Sequence, residues 1–236
     1  FTRKYKNDEI LEVKCKSLDS YNFEQVDFIK IDAEGHELFV LQGAIETIKR
    51  CNPIIQAEVE EKHLKSFQKP LPESYLVLTP GAVYGPAKQW PLEHFRSLAA
   101  QMIQLFGTSI LILGTAEDAA SGAEISQGIE GVHNYCGQTT LTEFLAILAK
   151  ANLLIGNDSG SMHLMGALQR PQIALFGSTS PTWTAPVNPH ASVLSRNLSC
   201  SPCFARTCRY GHYDCLTKIQ PELVLQEAQK ILSTKN

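Results

Sequence analysis

An α/β fold, built on a Rossmann-like doubly wound parallel sheet and preceded by a shorter β-α-β segment, is the class this sequence predicts. Three observations carry that expectation. Short apolar runs alternate with stretches of helical periodicity, those runs end in polar, glycine-punctuated turns, and composition breaks once, at Lys69-Pro70-Leu71-Pro72. Residues 1–69 hold 24 charged side chains and one proline, whereas the remaining 167 residues hold 21 charged side chains and 11 prolines. Two domains are therefore expected, 1–69 and 70–236.

In the first domain Val26 to Ile31 reads as a strand ending at Asp32. Glu37 to Arg50 places Leu38, Leu41, Ala44, Ile45 and Ile48 at helical spacing, and Pro53 to Val59 reads as a second strand. A helix between two strands gives the crossover that parallel pairing needs. In the second domain the strands are expected at Tyr75 to Thr79, Ser109 to Leu113, Leu153 to Ile155 and Gln172 to Phe176. Helices are expected at Pro91 to Phe106, Glu117 to Ile129, from the capping box Thr140-Leu141-Thr142-Glu143 to Lys150, at Gly160 to Leu168 and at Pro221 to Leu232.

Composition excludes several classes. With 44% apolar and 19% charged residues and a net charge of −3, the chain is neither disordered nor basic enough to favour nucleic acid. Its longest greasy stretch, Phe144 to Ile155, is interrupted by Lys150 and Asn152, far short of the roughly 20 apolar residues of a membrane helix. The opening Phe1-Thr2-Arg3-Lys4-Tyr5-Lys6 is basic with no apolar segment after it, unlike a signal peptide. The missing initiator Met reads as a fragment or a processed chain.

Ligands of doubly wound sheets gather at the carboxyl ends of the strands, and four strand-end loops here carry suitable chemistry. Ile155-Gly156-Asn157-Asp158-Ser159-Gly160 leads into a helix whose unpaired amides suit a phosphate, with His163 about one turn along. Ordinary capping by Asp158 or Ser159, with His163 as a packed helix residue, explains the same pattern. Thr79-Pro80-Gly81-Ala82 follows another strand. There Gly81 permits close backbone approach and Lys88 supplies a point charge, or is a solvated lysine. Glu117 and Asp118 stand where a ribose hydroxyl could be held, or serve as first-turn helix charges. Gly177-Ser178-Thr179-Ser180-Pro181-Thr182 is a hydroxyl-rich loop, with Ser178 able to bond a nucleotide or sugar.

Several of these motifs also carry a family resemblance. Pro80-Gly81-Ala82, Tyr84-Gly85-Pro86-Ala87-Lys88 with Trp90-Pro91, Asn157-Asp158-Ser159-Gly160 with Met162-His163, Phe176 to Pro181, Cys200-Ser201-Pro202-Cys203-Phe204, and Gly211-His212 with Cys215-Leu216 resemble the carboxyl-terminal domain of glycosyltransferase family 9, of the heptosyltransferase II type, over residues 75–232. The resemblance implies a GT-B transferase that needs no cofactor for glycosyl transfer. It implies an ADP-heptose donor and a lipopolysaccharide core acceptor, used in the cytoplasm, at the cytoplasmic face of the inner membrane, with peripheral membrane contact and no transmembrane segment. Thr79, Gly81, Lys88, Asp118, Asp158, Ser159, Gly160, His163 and Ser178 become the donor-site candidates. The general base belongs to the family's amino-terminal domain, so no catalytic residue is assigned and the chain alone is expected to bind donor without turnover.

Residues 1–69 resemble a different family. Ser17-Leu18-Asp19-Ser20-Tyr21 and Val26-Asp27-Phe28-Ile29-Lys30-Ile31-Asp32-Ala33-Glu34-Gly35-His36-Glu37, with Val40 to Ala44, are similar to the carboxyl-terminal half of FkbM methyltransferases. That resemblance implies Asp32 and Glu34 as site candidates and S-adenosylmethionine as cofactor only in a complete domain. Without it both are ordinary strand-end and helix-start acids. A methyltransferase fragment and a catalytically silent nucleotide-binding module are the rival functions, and the chain reads as a fusion of two domain remnants.

Cys200, Cys203, Cys208 and Cys215 have C-x2-C-x4-C-x6-C spacing, with His212 among them, which suits a structural zinc site or a loop of reduced thiols.

Overall fold

The computed structural model describes residues 14–33, 37–51, 53–57, 67 and 69–233. It divides into two compact units, Phe1–Glu60 and Glu61–Asn236. The sequence expectation set the division at Lys69. Phe67, however, is buried in the second unit, its ring edge-on to Tyr135 at 5.3 Å, so that apolar anchor lies ahead of the proline pair that marks the compositional break.

The first unit is a two-stranded parallel sheet, β1 (Phe28–Ile31) and β2 (Ile54–Ala57), in the register Phe28 to Ile54 and Ile31 to Ala57. The crossover is two short helices, α1 (Glu37–Gln42) and α2 (Ile45–Cys51), where sequence periodicity suggested one. The break has a local cause. Asp19, in a 3-10 turn at Leu18–Tyr21, accepts the Glu46 amide at 3.1 Å and the Thr47 amide at 2.8 Å, while its own amide donates to the Gly43 carbonyl at 2.9 Å. These bonds start a second helix instead of continuing the first.

The second unit is one six-stranded, wholly parallel sheet. Its strands are β3 (Tyr75–Thr79), β4 (Ser109–Ile112), β5 (Val132–Asn134), β6 (Leu154–Asn157), β7 (Gln172–Phe176) and β8 (Ala191–Ser195), in the order β5-β4-β3-β6-β7-β8. The chain starts in the middle, winds outward to one edge, then returns and winds to the other, so direction reverses between β3 and β6. Sequence reading found the four inner strands. It missed β5 and β8, the two edges, which are less buried and carry weaker apolar patterns.

Alternation along β3 builds both faces of the core. Leu76 and Leu78 pack on one side with Leu98 and Met102 of α3 (Leu92–Phe106) and Val224 and Ala228 of α9 (Pro221–Ser233). Tyr75 and Val77 pack on the other with Ile147 and Leu148 of α5 (Leu141–Lys150) and Met165 of α6 (Gly160–Ala167). All five β3 residues are therefore buried. The Thr140 capping box forms as expected. The helix expected from Glu117 to Ile129 is instead a 3-10 turn at Ala116–Asp118 followed by α4 (Ala119–Ser126), which stops short of Gly128. Two four-residue helices, α7 (Pro181–Thr184) and α8 (Asp214–Thr217), complete the unit. Among the described residues no helix is long and apolar enough to cross a membrane.

Candidate functional site

At the reversal point Thr79 pairs with Gly156, so the turns after β3 and β6 leave the sheet side by side. Asn157 fastens them: its Oδ1 accepts the Trp90 amide at 3.0 Å and its Nδ2 donates to the Pro80 carbonyl at 2.7 Å. Sequence reading quoted Asn157 within the turn but gave it no role, because its value is a cross-loop contact.

Above this junction opens a cavity of about 640 Å³, and Thr79, Gly81, Lys88, Asp118, Asp158, Ser159, Gly160 and His163 all line it. Eight of the nine donor-site candidates are thus brought to one place. Their roles are more specific than spacing suggested. Asp158 is almost fully buried and accepts an ion pair from Lys88 Nζ at 2.6 Å, with Thr179 Oγ1 at 2.5 Å and Thr184 Oγ1 at 3.3 Å on the same oxygen. Lys88 is therefore neither a solvated lysine nor an isolated point charge. Its ammonium lies over the Tyr84 ring, 4.8 Å from the centroid.

Because Asp158 turns toward Lys88, the cap position of α6 falls to Ser159, which makes no side-chain cap bond. Its hydroxyl pairs with Ser161 Oγ at 2.9 Å, and Ser161 in turn donates to Thr79 Oγ1 at 2.9 Å. The first turn of α6 thereby presents uncapped backbone and the positive end of its dipole to the cavity. His163 stands on that turn. Desolvation by the cavity wall holds its pKa below the ordinary 6.5, Asp158 pulling it back up and Lys88 pushing it further down, so the ring is neutral at pH 7.

One expectation needs correction and another gains detail. Gly81, expected to admit a ligand closely, lines the cavity and also takes the close approach of Asp118, whose two carboxylate oxygens a Cβ there would meet. Asp118 is the acid of a capping box, its Oδ2 accepting the Thr115 amide at 2.8 Å and Thr115 Oγ1 at 3.0 Å, while Glu117 is exposed and lies off the cavity. Ser178 does not reach the cavity at all. It is buried behind the turn after β7, and its carbonyl accepts the amides of Cys203 at 2.9 Å and Phe204 at 2.8 Å. Burial between two loops, invisible in a hydroxyl-rich turn, removes it from the ligand side. Thr179 and Thr184 carry that turn's hydroxyl chemistry through Asp158.

Leu113, Leu141, Phe144 and Leu164 give the same cavity apolar lining. The Thr140 capping box was a usable signal for it, since it starts a helix at the same strand-end edge. Asp32 belongs to the first unit, exposed at the end of β1 and 3.9 Å from Lys30 Nζ; Glu34 lies outside the described residues.

Comparison with known proteins supplies the family. The profile of glycosyltransferase family 9 (heptosyltransferase) matches residues 46–214. The lipopolysaccharide heptosyltransferase 2 of Salmonella typhimurium is 32% identical over 77% of this chain and 54% of its own length. The lipooligosaccharide heptosyltransferase 2 of Campylobacter jejuni (serotype O:2) is 34% identical over 72% of this chain and 56% of its own. Among solved structures, the ADP-heptose lps heptosyltransferase II of E. coli superposes with a TM-score of 0.66 at 30% identity, covering 76% of this chain and 54% of that one. The chain thus spans about half the length of the curated relatives it matches. A parallel sheet wound in the GT-B manner, with the family's motifs at its reversal point, leads to one conclusion: this chain belongs to glycosyltransferase family 9, the heptosyltransferases.

Proposed function

We infer that the second unit binds ADP-heptose and that the enzyme it belongs to transfers the heptose to the lipopolysaccharide inner core, in the cytoplasm at the inner membrane. The observation that carries this reading is the uncapped first turn of α6 beside the Lys88–Asp158 pair, in one cavity that also has apolar lining. A diphosphate bridging those features leaves room for a base against Leu113 and Phe144 and for a sugar toward Tyr84. As the glycosidic bond breaks, charge collects on the leaving ADP oxygen. On this reading the α6 amides, the Lys88 ammonium and a neutral His163 N–H would donate to it.

The same geometry separates binding from turnover. Asp158 is engaged by Lys88 and two threonines, and Asp118 through its Oδ2 by Thr115. A general base adds about 10²- to 10⁴-fold in rate, and this reading places it outside this unit. Calorimetry tests the reading: ADP should bind more tightly than UDP or GDP, and equal affinities, or none, would refute the donor assignment. ADP release from ADP-heptose with a core acceptor should stay near background for this chain alone.

The family match favours glycosyl over methyl transfer. For the first unit, the parallel β1-to-β2 crossover with Asp32 at the end of β1 is the feature that fits a methyltransferase-like fragment. S-adenosylmethionine titration is its test.

A further inference from the structure

The stretch from β8 into α8 carries more than one kind of chemistry. Its four cysteines, Cys200, Cys203, Cys208 and Cys215, are free thiols lining a hollow of about 20 Å³, and among the described residues no three His, Cys, Asp or Glu side chains stand where they could hold a metal ion. Its aromatic and cationic side chains lead instead to the donor cavity. Phe204 stacks on Trp183 of α7, with ring centroids 4.9 Å apart and planes inclined by 29°, and the two rings are 41% and 76% exposed. Both are tied to the cavity lining. Trp183 precedes Thr184, which lines the cavity and donates to Asp158, while the Phe204 carbonyl accepts the hydroxyl of Tyr84, another lining residue, at 2.5 Å. Phe204 has φ +55°, a conformation that L side chains rarely adopt, and its amide is held by the Ser178 carbonyl at 2.8 Å. Arg206, two residues on, is exposed and lies over the Tyr84 ring, 5.2 Å from its centroid, while its carbonyl accepts the Ala87 amide at 3.0 Å. Among the described residues no carboxylate pairs with its guanidinium.

We propose that Trp183, Phe204 and Arg206 form a platform for the acceptor saccharide: a sugar ring stacks on the exposed aromatic pair, and an anionic group of the same saccharide, a carboxylate or a phosphate, pairs with Arg206. The inference rests on the donor reading above, since the platform serves transfer only if ADP-heptose fills the neighbouring cavity. A pyranose presents a face of C–H groups that packs on an aromatic plane while its hydroxyls stay in water at the rim, so an exposed ring pair held from its backbone suits it. A planar guanidinium suits the anion, which it can bind through two N–H donors. Of the two cations on the Tyr84 ring, Lys88 is already paired with Asp158, which leaves Arg206 to meet the charge of the acceptor. Size points the same way. Two aromatic side chains supply at most about 500 Å² of contact, below the roughly 1,200 Å² of a stable protein interface, which favours a saccharide over a second copy of the chain. Tyr84, bonded to Phe204 and touched by both cations, connects the platform to the donor site.

The test is titration of this chain with a lipopolysaccharide core oligosaccharide freed of its lipid, followed by tryptophan fluorescence. The chain has two tryptophans, Trp90 at 1% exposure and Trp183 at 76%, so an occupant of the platform changes the red-shifted emission of Trp183 and leaves that of Trp90. A saturable change is expected. By calorimetry Trp183→Ala should weaken oligosaccharide binding about fivefold and Arg206→Gln about tenfold. Tyr210→Ala, which removes an exposed aromatic of the same stretch stacked on His212, should leave it unchanged. Phosphatase-treated and carboxyl-reduced oligosaccharides identify the anion: one of the two should bind about tenfold more weakly, and unchanged affinity for both would overturn the pairing with Arg206. ADP titration of the same protein reads the donor site separately. ADP binding with no saturable Trp183 response would overturn the platform and leave the donor reading intact, whereas a Trp183 response without ADP binding would keep the saccharide site and remove the donor reading. A Trp183 response to phosphatidylglycerol vesicles but not to the oligosaccharide would overturn the proposal in favour of a membrane surface.

Discussion

The β1-to-β2 crossover of the first unit and the crossovers of the second use the same construction, parallel strands joined by helices, with opposite results. In β3 every side chain is buried, whereas β1 buries only Ile31 and leaves Phe28 53% exposed, with Ile54 on β2 66% exposed. A parallel sheet is stable when both faces are covered, and α3 and α9 on one side with α5 and α6 on the other cover the second unit. Among the described residues nothing equivalent covers the β1–β2 pair. The buried Lys88–Asp158 pair, at 2.6 Å, stands at strand ends of the covered sheet.

The largest effect that tests this contrast is expected from Lys88→Ala. Removing the cation leaves Asp158 buried with only two hydroxyls, which should cost about 3 to 5 kcal/mol in the second unit's unfolding transition. A loss below about 1 kcal/mol, the range of exposed pairs, would show that the strand ends give way easily. Next, Leu78→Ala should destabilise the second unit by about 2 to 5 kcal/mol, while Ile54→Ala in the first should cost less than about 0.5. Denaturant titrations giving similar values for both would erase the distinction.

Asp19→Ala should loosen the start of α2, seen as hydrogen-exchange protection lost around Glu46 and Thr47 with the second unit unaffected. The smallest effect concerns pH. The folded pKa of His163 is below its unfolded value, so its contribution to stability is complete above about pH 6.5 and is lost as pH falls through the lower folded value. ADP binding should move oppositely, strengthening as the ring gains charge. His163→Gln should flatten both profiles, and unchanged profiles would remove His163 from the cavity's electrostatics.

Much of this was legible in the residues. Strong apolar runs such as Tyr75 to Thr79, the Thr140 capping box and the polar turns after β3 and β6 are local features, and local features survive in a linear string. Eight of the nine candidates named from them line one cavity because strand-end loops of a doubly wound sheet converge wherever the order reverses. Their partners could not be so named. Whether Asp158 caps a helix or holds Lys88, 70 residues away, depends on which way one carboxylate turns once Thr179 and Thr184 are beside it. Ser178 and Thr179 are adjacent and chemically alike, yet one is buried against the cysteine loop and the other reaches the site. Periodicity and turn chemistry are written in neighbouring residues. Partner choice belongs to side chains brought together across the sheet, where packing and desolvation select one pairing among several that the chain permits.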